Sequence, residues 1–176
     1  NVGISCCISS WTRISDNSMP PRAKGISNYQ NSRFVSTEAE LNGYDAGIIL
    51  NSQGKVSEGA YGCIFIIRDG VVYTPPTTAD ILESITRDTI ITLLQEDLTI
   101  PVHVRDIDRT ELYVSDEIFL CGTYAEIDPV ISVDRYVVGN GNPGDITKKL
   151  MNFYKNIVYG QSAVHREWIS TIHIPD

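Results

Sequence analysis

Apolar residues along this chain fall into short runs divided by polar turns, and two different periods can be read from them. Runs of a few apolar or alternating positions at 2–9, 45–50, 63–67, 71–74, 102–107, 117–121 and 131–133 predict β-strands. Asp69-Gly70, set between two of these runs, signals a tight hairpin, and Asn51-Ser52-Gln53-Gly54 signals another turn. Three longer segments follow helical spacing. From about Asn28 to Asn42, Phe34, Val35, Ala39 and Leu41 are expected on one side, with Gly43 as the stop. From about Thr86 to Glu96 the apolar positions are Ile90, Ile91 and Leu94, and Pro101 helps end the region. From Asp145 to Val158, Ile146, Leu150, Phe153, Tyr154 and Ile157 form one stripe that Gly160 closes. No internal repeat or linker divides the chain. Strands segregated from three helices predict an α+β domain with a mixed, strongly bent sheet.

Composition narrows the class of partner. With 176 residues, 42% of them apolar, the chain suits one domain or a domain with a stub of another. Acidic residues outnumber basic ones 22 to 14, for a net charge of −8. Such a surface repels a phosphate backbone, so no nucleic acid and no anionic membrane is expected as partner, although a local pocket for one phosphate remains open. No apolar run approaches the roughly 20 residues that span a bilayer, and no signal peptide is expected at the start. Cys63 and Cys121 sit inside apolar runs and Cys6-Cys7 is no metal clip, which predicts reduced core thiols and a cytoplasmic protein. The first residue is Asn1, so a processed chain or a fragment is expected.

Several motifs compete for the chemistry. Gly139-Asn140-Gly141-Asn142-Pro143-Gly144 is a literal GxGxxG before a helix. A dinucleotide site also needs an acidic residue about 20 positions on, where this chain has Val164, and Pro143 lacks an amide hydrogen. A tight loop is the better reading. His103, His165 and His173 have no carboxylate or cysteine at metal-ligand spacing, and no GxSxG elbow accompanies the serines. Ser84-Ile85-Thr86-Arg87-Asp88 places hydroxyls and free amides at a helix start, which serves either as an anion site or as simple capping. Gly122-Thr123, after a strand end, is where a ligand-facing loop would sit. Lys24, one of five lysines, lies in an uncharged run, and on pattern alone both it and Glu58 read as solvated surface groups.

Taken in order, a set of runs resembles the class IV (fold type IV) pyridoxal-phosphate aminotransferases, branched-chain enzymes most of all. They are Ser9-Ser10-Trp11-Thr12-Arg13, Pro21-Arg22-Ala23-Lys24 with Asn28-Tyr29, Glu38-Ala39 leading to Gly43-Tyr44-Asp45, and Val56-Ser57-Glu58-Gly59. Further on come Asp69-Gly70-Val71-Val72-Tyr73-Thr74-Pro75, Ile85-Thr86-Arg87-Asp88 and Asp116-Glu117-Ile118-Phe119. Gly122-Thr123-Tyr124-Ala125-Glu126 and Gly141-Asn142-Pro143-Gly144-Asp145-Ile146-Thr147 complete the set. The resemblance implies a pseudo-barrel of mixed strands with surrounding helices, and the cofactor pyridoxal 5'-phosphate. It implies that Lys24 forms the Schiff base with the cofactor and shuttles the substrate α-proton, which needs a neutral amine. Glu58 is implied to keep the pyridine nitrogen protonated, Tyr29 to bond the ring oxygen, and Leu82 to pack on the ring. Ile85, Thr86 and Thr123 are implied to hold the phosphate, and the backbone of Thr123 and Tyr124 to receive the substrate carboxylate.

Three departures stand out: Cys63 replaces the family's asparagine, Glu83-Ser84 replaces Pro-Gly, and Tyr124 is larger than usual. Glu83 would weaken phosphate binding unless it points away. The family's chains are longer and begin with another domain, so residues 1–20 are expected as interdomain segment and first strand, and 21–176 as the cofactor domain. The N-terminal domain, or a partner chain supplying it, is then missing, and this piece alone should bind cofactor weakly and turn over poorly. The implied activity is transfer of an amino group from a branched-chain amino acid to 2-oxoglutarate, in a homodimer. The rivals are a D-amino-acid transaminase, an aminodeoxychorismate lyase and a non-catalytic remnant.

Overall fold

The computed structural model describes residues 3–170 and 172; His173, expected as a tail residue, lies outside them. Nine strands form one sheet: β1 (Ile4–Thr12), β2 (Ala46–Leu50), β3 (Val56–Gly59), β4 (Cys63–Arg68), β5 (Val71–Thr74), β6 (Val102–Val104), β7 (Glu117–Gly122), β8 (Glu126–Val133) and β9 (Tyr136–Val137). Their order is β3-β2-β1-β8-β7-β4-β5-β6, with β9 paired to β8. β1 runs parallel to both β2 and β8, and β5 parallel to β6, while the other pairs are antiparallel. The stretch expected to lead into the domain therefore supplies a central strand. The two edges of the sheet meet. Val56 N–H donates to Ile107 O at 2.9 Å just beyond β6, and Lys55 bridges to Asp108. That closure makes the bent sheet a mixed pseudo-barrel, as expected.

Alternation along the strands divides the apolar residues between two cores. Ile64 and Ile66 of β4 join Cys6, Ile48, Ile118, Leu120 and Val130 on one face. Cys63, Phe65 and Ile67 join Phe119, Cys121 and the helices on the other. A strand buried on both faces has to be apolar throughout, which is why β4 and β7 read as unbroken hydrophobic runs. α2 (Ile85–Thr92, ending in a π-helical turn Leu93–Asp97) and α3 (Asp145–Val158) cover the second face through Ile90, Leu93, Leu150 and Ile157. α1 (Tyr29–Leu41) packs on β2, its Val35 so close to Gly47 that a Cβ there would clash. The face expected for α1 is corrected in part: Val35 and Ala39 are buried, but Phe34 is 44% and Leu41 82% exposed. Phe34 stacks instead on the half-exposed Trp11.

The GxGxxG run proves to be a helix entry closed from within. Glu117 accepts from Ile146 N–H at 3.1 Å, Thr147 N–H at 2.8 Å and Thr147 Oγ1 at 2.6 Å. A side chain at Gly144 would run into that carboxyl. The amides a nucleotide phosphate would need already hold an internal anion. No helix among the described residues is long and apolar enough to cross a membrane.

Candidate active site

A half-open cavity of about 600 Å³ lies between α1, the ends of β3, β4 and β7, and the loop that leads from β1 to α1. Lys24, Tyr29, Glu58, Leu82, Thr123 and Tyr124 all line it. Residues separated by up to about a hundred positions in the chain are thus brought to one space. Ile85 and Thr86 are not among its lining residues. They stand at the start of α2, where Ile85 is 88% exposed and Thr86 buried, and Ser84 lines the cavity in their place.

Glu58 corrects the surface reading, being 6% exposed in a short strand that the sequence pattern did not reveal. One carboxyl oxygen meets Arg13 Nη2 at 2.6 Å, and the other accepts the Leu82 N–H at 3.1 Å. Arg13, also buried, is steadied by a bond from Nε to Asp80 O at 3.1 Å. Burial pushes the Glu58 carboxyl up to about 7, against the pull of the guanidinium and the amide. Arg13 was carried in a matching run without a role. Nothing in its local sequence signals that it balances a carboxylate 45 positions away, because that pairing arises only when β1 continues past β2 toward β3.

Lys24 is exposed on the loop after β1, as its local pattern indicated. The loop itself is fixed. Buried Asn28 donates its amide hydrogens to Pro20 O and Ala23 O, both at 2.9 Å. Arg22 reaches across to Glu83 at 2.8 Å and to Asp16 at 3.0 Å. Glu83 therefore spends its charge on Arg22 and does not line the cavity, which removes the objection its sequence position raised. Tyr29 is 45% and Tyr124 98% exposed, both at the open side.

The cavity floor carries Cys63 and Cys121, directly opposite one another across β4 and β7. Burial pushes the Cys63 thiol up to about 12 and raises Cys121 as well, so both stay protonated. All four cysteines are free and buried, as expected of reduced core thiols. Among the described residues no cluster of metal-ligating side chains occurs. The arrangement thus offers a primary amine, a buried carboxyl with its own counter-charge, and a helix start with two N–H groups, those of Ile85 and Thr86, that have no acceptor among the described residues.

The profile of the family described as amino-transferase class IV matches residues 1–133, and the chain belongs to that family. It is 47% identical over 171 residues to a protein of Aquifex aeolicus named "Probable branched-chain-amino-acid aminotransferase", covering 97% of this chain and 55% of that one. The branched-chain amino acid aminotransferase of Thermobaculum terrenum, solved in its PLP form, superposes with a TM-score of 0.94 at 49% identity, over 96% of this chain and 55% of that one. The branched-chain aminotransferase of the thermophilic archaeon Thermoproteus uzoniensis, solved with norvaline, gives a TM-score of 0.91 at 42% identity, over 96% and 55%. The chain spans about half the length of the relatives it matches.

Proposed function

We propose that this chain is the cofactor-binding half of a pyridoxal-phosphate aminotransferase that moves the amino group of a branched-chain amino acid to 2-oxoglutarate. The observation that carries the reading is one cavity lined by both Lys24 and a buried Glu58 braced by Arg13. The donor set fits the cofactor: an amine for its aldehyde, a carboxyl able to hold a proton near neutral pH for its ring nitrogen, and free amides for its phosphate. When bound, pyridoxal phosphate supplies the aldehyde and an electron-withdrawing ring.

Lys24 Nζ would hold the cofactor through its aldehyde carbon and would be the base that takes up and gives back the substrate α-proton. Glu58 would keep the ring nitrogen protonated, and Arg13 and the Leu82 amide hold its carboxyl in place. Tyr29 would bond the ring oxygen, Leu82 would pack on the ring, and Ile85, Thr86 and Thr123 would hold the phosphate. The backbone of Thr123 and Tyr124 receives the substrate carboxylate. In this reading residues 1–20, central strand β1 included, join an interdomain segment to a cofactor domain that continues through 21–176, and the half-open cavity supports an N-terminal domain or partner chain covering its open side. A cytoplasmic homodimer completes the proposal.

The test uses the full-length protein. Borohydride reduction after cofactor loading, followed by peptide mapping, is expected to place the adduct on Lys24, and an adduct elsewhere overturns the reading. Transfer from L-leucine to 2-oxoglutarate is expected, whereas turnover confined to D-alanine would assign a D-amino-acid transaminase instead.

A further inference from the structure

Arg87, the third residue of α2, is a buried cation that the roles assigned above leave unused. It is 9% exposed. Its Nε donates to Thr74 Oγ1 at 3.3 Å and its Nη2 to Pro75 O at 2.9 Å, both neutral oxygens. Among the described residues no carboxylate forms an ion pair with it. Arg13, the other buried arginine, shows the usual solution, a carboxylate at 2.6 Å. Burying a guanidinium without such a partner is costly. Its position adds to the cost, because a cation in the first turn faces the positive end of the helix dipole. Asp88 in the same turn answers the dipole but is exposed and forms no ion pair with Arg87.

Two observations tie the first turn of α2, and this charge with it, to the cavity. The Cys63 and Cys121 thiols, both on the cavity floor, are pulled down by Arg87 against the larger effect of burial. Ser84 lines the cavity and caps the same helix, accepting the Arg87 N–H at 3.3 Å. The first turn of α2 therefore gathers a fixed positive charge and the free N–H groups of Ile85 and Thr86, and among the described residues no carboxylate, the exposed Asp88 of the same turn included, bonds to any of them.

We propose that Arg87 is a positioning residue for the phosphate of a phosphate-monoester ligand, its buried charge balancing the dianion at the start of α2 without touching it. The inference rests on the cofactor reading above. It asks for charge rather than for hydrogen bonds, since the side chain spends its fork on Thr74 and Pro75. A charge held by the fold costs no reorganisation when the ligand arrives, and low surrounding dielectric strengthens it.

The experiment compares wild type, Arg87→Gln and Arg87→Lys in the full-length protein, titrating pyridoxal phosphate, pyridoxal and inorganic phosphate. Arg87→Gln is expected to weaken pyridoxal phosphate and inorganic phosphate by about tenfold or more, while pyridoxal affinity stays within about twofold. Arg87→Lys keeps the charge but loses the fork, and is expected to retain most of the phosphate affinity. Equal losses for pyridoxal and its phosphate, or an Arg87→Lys protein as weak as Arg87→Gln, would assign Arg87 a merely structural role and overturn the proposal. Should Arg87→Gln fail to fold, Arg87→Lys against wild type decides by the same two ligands. A wild type that binds inorganic phosphate but not pyridoxal phosphate defeats the cofactor reading alone, and the phosphate titrations still judge Arg87.

Discussion

Glu58 and Arg13 each depend on the other, and that dependence sets what single substitutions do. Removing Arg13 leaves a buried carboxyl with only the Leu82 amide, at a cost of about 3–5 kcal/mol for Arg13→Ala, measurable by denaturant unfolding. Because the folded value of Glu58, about 7, lies above its ordinary 4.5, the folded chain holds an extra proton between those limits. The stabilisation from that proton is full below pH 4.5 and is lost as pH rises through about 7. In the cofactor-free chain, Glu58→Gln is therefore expected to flatten the fall in unfolding free energy between pH 4.5 and 7. The same carboxyl should make cofactor binding weaken above about pH 7, where the ring nitrogen must draw its proton from water. Calorimetry in buffers of different ionisation enthalpy would register net proton uptake there.

At the level of elements, the ends of helices matter more than their middles. α3 begins where Glu117 satisfies Ile146, Thr147 and the Thr147 hydroxyl, and only a residue without a side chain fits at Gly144. Glu117→Ala is expected to destabilise the fold by about 1–3 kcal/mol by leaving those donors unmet. Gly144→Ala should cost a similar amount by displacing the carboxyl, and thermal unfolding measures both. The π-helical turn that ends α2 carries Asp97, whose carboxylate meets His165 Nε2 at 2.8 Å while the imidazole stacks on Trp168. The Asp97 hydrogen bond, with Glu167 nearby, raises the His165 value above its ordinary 6.5. This contact contributes fully below pH 6.5 and fades as pH rises through the raised value. Amide exchange across residues 161–169, corrected for its intrinsic pH dependence, is expected to speed up over that range, and Asp97→Asn to remove the transition.

Across the whole molecule, closure of the sheet makes the cavity. β3 is held between β2 and the backbone beyond β6, and so sets Glu58 opposite the loop of Lys24. The elements the pattern predicted well have local causes. α3 runs from Asp145 to Val158 as expected because its stripe recurs on one face, and β4 and β5 are joined by Asp69-Gly70, both at positive φ. β3 was not legible: Val56-Ser57-Glu58-Gly59 has small residues and a carboxylate in place of a strand signature, and is a strand only because two distant partners pair with it. His165, read as lacking metal-ligand spacing, showed no sign of its contact for the same reason, since its partner lies on α2's final turn.

The sequence by itself determined the periods, the stops and the turns, because these depend on neighbours within one or two helical turns or across a hairpin. The order of its family motifs also pointed to six residues that the fold gathers around one cavity. Only the tertiary structure decided which charges are buried and what answers each one, Glu58 with Arg13 and Arg87 with no carboxylate among the described residues, and it alone paired the exposed Glu83 with Arg22. Burial of a charge is settled by groups far away in the chain, and no local pattern records the distance between them.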